Sequence, residues 1–158
     1  MISVKELTIG DLVNYRPGWI NEETNQVEYE SGTGFPVRIE MLYYSHGEGF
    51  VQYNDGENDG IEAAEYELFP IPITPEILEK NGFEKLDFSH FQIGDRRLVL
   101  DADGRWDGPL SWHWVVTEMD TNAKGQPVVL DYYVTTINYV HELQHALRLC
   151  GIEKEIKL

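Results

Sequence analysis

The segment HELQH at residues 141–145 matches the zinc-hydrolase pattern H-E-x-x-H. Two histidines four residues apart lie on one face of a helix, where both imidazoles can bind the same zinc ion. The glutamate between them can act as general base for the water that attacks the substrate. The pattern therefore defines one hypothesis, a zinc-dependent hydrolase with His141 and His145 as zinc ligands and Glu142 as the catalytic base.

The sequence around the motif does not supply the rest of such a site. A catalytic zinc needs a third protein ligand, and only 13 residues follow His145. In the extended pattern H-E-x-x-H-x-x-G-x-x-H, Arg148 stands in place of the glycine and Gly151 in place of the last histidine. We therefore expect the match to be a coincidence, with no metal ligand, no zinc cofactor and no catalytic residue in this segment.

The helix that carries the motif has predictable ends and a predictable buried side. Asn138 is the expected N-cap and Gly151 the expected stop. On a helical wheel the buried stripe is formed by four residues, Val140, Leu143, Leu147 and Cys150. His141 and His145 fall almost opposite the centre of this stripe, so we expect them on a solvated face.

The N-terminal half, residues 1–73, is predicted to consist of strands. The segments 12–16, 37–44 and 49–55 are rich in β-branched and aromatic residues and are bounded by turn-forming residues. The polar stretch 17–34 is expected to be a mobile loop or a ragged hairpin. Short strands with closely spaced turns favour a small SH3-like β-barrel.

The C-terminal half, residues 74–158, is predicted to combine helices with a β-meander. Thr74 is the expected N-cap of a helix that has Pro75 at its first position and ends at Gly82. Three strands follow, at 96–100, 111–119 and 127–136, and the HELQH helix closes the chain. The predicted fold class is α+β, with the two halves forming two small domains or one compact unit.

Charge and composition restrict the function and location. The chain has 28 acidic and 12 basic residues, a formal net charge of −16, which disfavours nucleic acid as a partner because phosphates would be repelled. A second alternative is that the acidic surface mimics DNA and occupies a DNA-binding protein. With one cysteine, no signal peptide and no apolar run long enough to span a membrane, the expected location is the cytoplasm, with no membrane partner.

Aromatic residues provide the candidates for a binding surface. In the barrel-like half these are Tyr43, Tyr44 and Phe50, which would form an exposed patch if this half binds a partner. Trp112 and Trp114 are two apart on a predicted strand, so both project from one face. Exposed, the tryptophan pair would be a stacking platform, but large aromatic residues in a small domain favour a place in the core.

Three segments of the chain resemble a known family. LTIGDLVNY (7–15), PIPITPEILEKNGFEKL (70–86) and INYVHELQHALRLCGIEKEI (137–156) are similar to a family of short uncharacterised proteins of gut anaerobes and their phages and mobile elements. In that family the positions of Glu142 and His145 are often Gln and Asn, so the resemblance implies a helix without a metal site. It implies no activity.

Composition, motif context and resemblance together favour a non-enzymatic protein of mobile-element origin. We expect an accessory or protein-interaction module whose partner is a protein. The zinc hydrolase and the acidic DNA mimic stay as alternatives, and the oligomeric state stays open.

Overall fold

The computed structural model describes residues 1–32, 34–54, 60–101 and 111–158. The chain forms two compact units, which we call unit 1 (Met1–Pro72 and Tyr139–Ile156) and unit 2 (Ile73–Asn138 and Lys157–Leu158). The mixed α+β class is as expected. The division differs from the expected halves at one place, because the HELQH helix groups with the N-terminal strands.

The elements are mostly strands. In chain order they are β1 (Leu12–Tyr15), β2 (Gly18–Asn21), β3 (Gln26–Tyr29), β4 (Phe35–Ser45), β5 (Glu48–Asn54), β6 (Ile61–Ala64), β7 (Leu68–Phe69), α1 (Pro75–Lys80), β8 (Glu84–Lys85), β9 (His90–Ile93), β10 (Arg96–Asp101), β11 (Ser111–Thr121), β12 (Pro127–Thr136) and α2 (Val140–Leu149). Short 3-10 helices occupy Val4–Glu6 and Glu65–Glu67.

The main sheet of unit 1 is a curled half-barrel with the strand order β6-β5-β4-β1-β7. Side chains alternate along β5, where Val51 and Tyr53 are buried while Phe50 and Gln52 lie half-buried on the other side. A register shift between Ile39 and Met41 interrupts the same alternation in β4. The inward side chains pack with apolar residues of the N-terminal segment into the core of this unit.

The polar segment 17–34 contains a hairpin rather than only a loop. Strands β2 and β3 pair antiparallel, with Trp19 opposite Glu28. The connecting turn is stabilised by Asn21, whose side-chain oxygen accepts hydrogen bonds from the backbone N–H groups of Glu23 at 2.9 Å and Thr24 at 3.2 Å. Of the two structures expected for this segment, the hairpin is therefore the one found.

Unit 2 is a meander of five strands in consecutive order, β8 to β12, with the helix α1 before it. The predicted ends of α1 are confirmed. The Thr74 hydroxyl accepts the N–H of Ile77 at 3.3 Å, Pro75 lies in the first turn, and Gly82 follows the helix with φ of +71°. The strands β8, of two residues, and β9, of four, were not predicted from the sequence.

Within the described ranges, none of the helices is both long enough and apolar enough to cross a membrane. The longer of the two, α2, has ten residues, whereas a spanning helix needs about 20.

Candidate functional site

The side chain of Gln144 joins α2 to the start of β1. Its Oε1 accepts the backbone N–H of Leu12 at 2.8 Å, and its Nε2 donates to the carbonyl oxygen of Gly10 at 3.0 Å. Gln144 is buried. A glutamine amide carries one acceptor and two donors, so it can pair with a backbone N–H and a backbone C=O together. The helix thereby satisfies a buried N–H that would otherwise cost free energy.

The carboxylate of Asp11 lies beside Gln144 and is fully buried. It accepts hydrogen bonds from the N–H of Thr8 at 2.8 Å and from the Thr8 hydroxyl at 3.1 Å. From α2, Nε2 of His145 lies 2.7 Å away and Nη2 of Arg148 forms an ion pair with it. A buried carboxylate is tolerated only with such compensation. We call these four residues the Asp11 cluster: Thr8, Asp11, His145 and Arg148.

A tight turn aims Asp11 at the helix. The Asp11 N–H donates to the carbonyl of Thr8 at 3.1 Å, and Gly10 adopts φ of +91°, a left-handed conformation that glycine adopts readily. The guanidinium of Arg148 also reaches the carbonyl of Ile9, at 3.3 Å. The turn and the helix are therefore held together by backbone and side-chain contacts.

The expectation that His141 and His145 lie on a solvated face was wrong. His141 is only 3% exposed, and the side chain of His145 is 29% exposed and bonded to Asp11. The helical wheel located the apolar stripe correctly at Val140, Leu143 and Leu147, which are buried, whereas Cys150, the fourth residue of the predicted stripe, is half-buried. The error lay in assuming that water covers the opposite side, where the turn ending at Asp11 packs instead.

His141 is held by ring contacts. It stacks on Tyr139 with ring centroids 6.0 Å apart, and it meets the ring of His145 edge-on at 6.1 Å. Within the described part of the chain, its Nδ1 is buried without a hydrogen-bond partner. Burial lowers the pKa of His141, while the charges of Glu142, Asp11 and Glu6 act in the opposite direction.

Glu142 caps the helix. Its Oε2 accepts the backbone N–H of Tyr139 at 3.0 Å, the contact that a glutamate makes in a capping box. The N-cap is Tyr139, not Asn138 as predicted. Asn138 instead uses its side-chain oxygen to accept the N–H of Trp112 at 3.1 Å. Asn138, the predicted N-cap, and Glu142, the catalytic base of the hydrolase hypothesis, thus both make other contacts in the structure.

In this arrangement both HELQH histidines make contacts within the protein. A histidine ligand must present a free nitrogen to the metal, but Nε2 of His145 faces Asp11 and lies 3.2 Å from the Thr8 hydroxyl. Residues 1–32, 34–54, 60–101 and 111–158 contain no group of three or more His, Cys, Asp or Glu side chains arranged to hold a metal ion.

Parts of the three segments that resemble the family lie in unit 1, namely residues 7–15, 70–72 and 139–156. Gly10 and Leu12 of the first segment bind Gln144 of the third. Ile71, from the second segment, accepts the N–H of Val140 at 2.9 Å. Residues from all three segments thus hold the start of α2 in place, whereas the family membership itself stays a prediction.

A second candidate site lies on the outward side of β4, β5 and β6. The rings of Tyr43 and Phe50 stack there, with centroids 5.5 Å apart and planes 18° from parallel. The Tyr43 hydroxyl donates to Glu62, and this hydrogen bond raises the pKa of Tyr43. We call this surface the Tyr43–Phe50 face and define it by its outward side chains: Met41, Tyr43, Glu48, Phe50, Gln52 and Glu62.

The remaining aromatic candidates lie elsewhere. Tyr44, the next residue along β4, is 51% exposed but projects from the opposite side of the strand to Tyr43. Trp112 and Trp114 are buried, and Trp112 packs edge-on against Phe91 with ring centroids 5.6 Å apart. The tryptophan pair therefore belongs to the core of unit 2, as its size favoured.

Sequence reasoning missed Thr8, Asp11, Gln144 and Arg148 as members of one site. The available signal was the spacing of Gln144 and Arg148, four residues apart on the helix side that carries the histidines. Nothing local indicated that their partners would be Gly10, Asp11 and Leu12, more than 130 residues earlier in the chain.

We expect replacement of Gln144 by Leu to lower the free energy of unfolding by about 2 kcal/mol, because the buried N–H of Leu12 loses its acceptor. Urea denaturation followed by tryptophan fluorescence measures this change. The matched control is Gln26→Leu in the exposed strand β3, which should change stability by less than about 0.5 kcal/mol. Equal losses in the two variants would contradict the role of Gln144.

We expect His141 to make the protein less stable as the pH falls. Its folded-state pKa lies below the ordinary value of 6.5, so below that pH the unfolded chain takes up a proton that the folded chain resists. His141→Phe removes this titration, and its stability should fall less than that of the wild type between about pH 7.5 and pH 5.5.

Chemical denaturation at the two pH values provides the comparison. His46→Asn is the control, since His46 is exposed on the turn between β4 and β5. The burial effect is refuted if His141→Phe and the wild type lose the same stability on acidification.

Comparison with protein-family models, with curated proteins and with solved structures gives no match. The geometry of the Asp11 cluster and of the Tyr43–Phe50 face therefore carries the functional inference.

Proposed function

We propose that this chain is a non-enzymatic protein-interaction module that binds a protein partner through the Tyr43–Phe50 face. The observation that carries the proposal is the stacked pair of Tyr43 and Phe50 on the outward side of the half-barrel sheet. Met41, which is 50% exposed, extends the apolar surface beside them. Aromatic and methionine side chains are enriched at protein interfaces and contribute much of their binding energy.

The chemistry of the Asp11 cluster supports a structural rather than a catalytic role. The carboxylate of Asp11 is fully buried, and its partners His145 and Arg148 are directed at it. A general base must instead reach a proton of the substrate. Glu142, the catalytic residue of the alternative hydrolase, accepts a backbone N–H at the helix start.

The two alternatives require different arrangements. A zinc hydrolase using His141 and His145 requires His145 to leave Asp11, which would remove one of the partners of a buried carboxylate. An acidic DNA mimic requires carboxylates in rows at phosphate-like spacing. On the Tyr43–Phe50 face the carboxylates of Glu48 and Glu62 are instead interspersed with aromatic, amide and thioether side chains.

The SH3-like arrangement, the cytoplasmic location and the mobile-element role that we expected from the sequence are also part of the proposal. We propose an SH3-like arrangement for the half-barrel of unit 1, because its strands pair antiparallel and its sheet is curled. A cytoplasmic location is consistent with the unpaired Cys150. An accessory role in a mobile element rests on the family resemblance alone.

The proposed function predicts that partner retention depends on Tyr43 and not on Tyr44. Wild-type chain, Tyr43→Ser and Tyr44→Ser are immobilised and exposed to a lysate of the source cells, and the retained proteins are compared by mass spectrometry. A partner should be retained by the wild type and by Tyr44→Ser but lost by Tyr43→Ser, because Tyr43 forms half of the aromatic pair.

Circular dichroism of the three proteins controls for folding. The proposal fails if the retained proteins are the same for all three chains, or if Tyr44→Ser loses the partner as fully as Tyr43→Ser.

A further inference from the structure

We infer that the partner segment bound by the Tyr43–Phe50 face is cationic, and that it places a Lys or Arg side chain against the aromatic pair. This inference rests on the proposed function and adds the chemistry of the partner. It follows from three observations: the carboxylates on the face, the scarcity of Lys and Arg in its three strands and the charge of unit 1.

Carboxylates flank the aromatic pair on both sides. Alternation along β5 puts Glu48 on the same side as Phe50, and cross-strand pairing puts Glu62 beside Gln52. Both glutamates are exposed. A carboxylate offers about four acceptor positions, and the Tyr43 hydroxyl uses one of those on Glu62. The remaining positions are suited to the N–H groups of a guanidinium or an ammonium.

The three strands of the face offer little positive charge that could neutralise these carboxylates. Strands β5 and β6 contain no Lys or Arg. Strand β4 contains one, Arg38, which forms an ion pair with Glu155 at 2.7 Å. An acidic partner would therefore be repelled, whereas a basic one would bring the missing charge.

The net negative charge of unit 1 as a whole also favours a basic partner. Unit 1 holds 17 of the 28 acidic residues but only 5 of the 12 basic ones, which is −12 of the formal net charge of −16. Unit 2, with 11 acidic and 7 basic residues, accounts for the remaining −4. A negative field of this size speeds the encounter with a basic partner at low ionic strength.

The aromatic pair supplies the selective contact. A cation over the face of an aromatic ring is attracted by the ring electrons, and arginine makes such contacts most often. Unit 1 already contains one, since the guanidinium of Arg16 lies 4.9 Å from the ring centre of Tyr29. The Tyr43 hydroxyl donates to Glu62, which places this carboxylate next to the rings.

The test uses fluorescently labelled oligo-arginine, with oligo-glutamate of the same length as the negative probe, and measures binding by fluorescence anisotropy. Phe50→Leu keeps an apolar side chain but removes the ring, and Phe50→Trp restores a ring with stronger attraction for cations. The Phe50→Leu variant should bind oligo-arginine about tenfold more weakly than the wild type. The Phe50→Trp variant should bind it at least as tightly as the wild type does.

Two controls separate the face from general charge attraction. Phe88→Leu removes an exposed phenylalanine of unit 2, and Glu22→Gln removes an exposed charge from the turn between β2 and β3, whereas Glu62→Gln removes one from the face. Glu62→Gln should weaken binding more than Glu22→Gln, and Phe88→Leu should have no effect. Raising the salt concentration should weaken wild-type binding.

Three outcomes overturn the inference: no binding of oligo-arginine, equal binding by wild type and Phe50→Leu, or equal losses in Glu62→Gln and Glu22→Gln. If oligo-arginine fails while a lysate partner still depends on Tyr43, the cationic partner is refuted and the interaction module stands. If Tyr43 also proves irrelevant to partner retention, both proposals fail.

Discussion

The buried carboxylate of Asp11 is the constraint on which the rest of unit 1 depends. It has no exposure to solvent, so its charge must be compensated by the turn that carries it and by α2. His145 and Arg148, three residues apart on one helix face, fix the position of the helix along its axis. Gln144 adds the backbone contact beside them. Removing Arg148 would take the permanently charged partner from this buried carboxylate, a loss that typically costs about 3–5 kcal/mol.

The same helical geometry explains why the spacing of a zinc-hydrolase pattern also suits contacts with a buried carboxylate. Residues three and four apart share a helix face, which suits a metal ion but equally suits an acidic side chain that approaches from another segment. In this chain Asp11 occupies that position against His145. Glu142 points back to the helix start rather than toward a substrate. The polar residues of the motif thus all make contacts within the folded chain.

Short sequence patterns predicted many of the helices and strands. They did not predict contacts between residues that are far apart in the sequence. The ends of α1 follow from Thr74, Pro75 and Gly82, and the long strands β4, β5, β11 and β12 follow from their β-branched and aromatic residues. The environment of His141 was mispredicted because a helical wheel describes one helix in isolation. What covers its polar side depends on a turn more than 130 residues away. The stacking of Tyr43 on Phe50 required the register of β4 and β5, which the sequence does not specify.

Zinc content tests most directly whether the HELQH residues are structural. Untagged protein purified without chelators is analysed by elemental mass spectrometry, alongside His145→Ala. We expect much less than one zinc per chain in both proteins, together with a lower stability of the variant because Asp11 loses a partner. About one zinc per chain in the wild type, lost in His145→Ala, would contradict the structural role and favour the hydrolase.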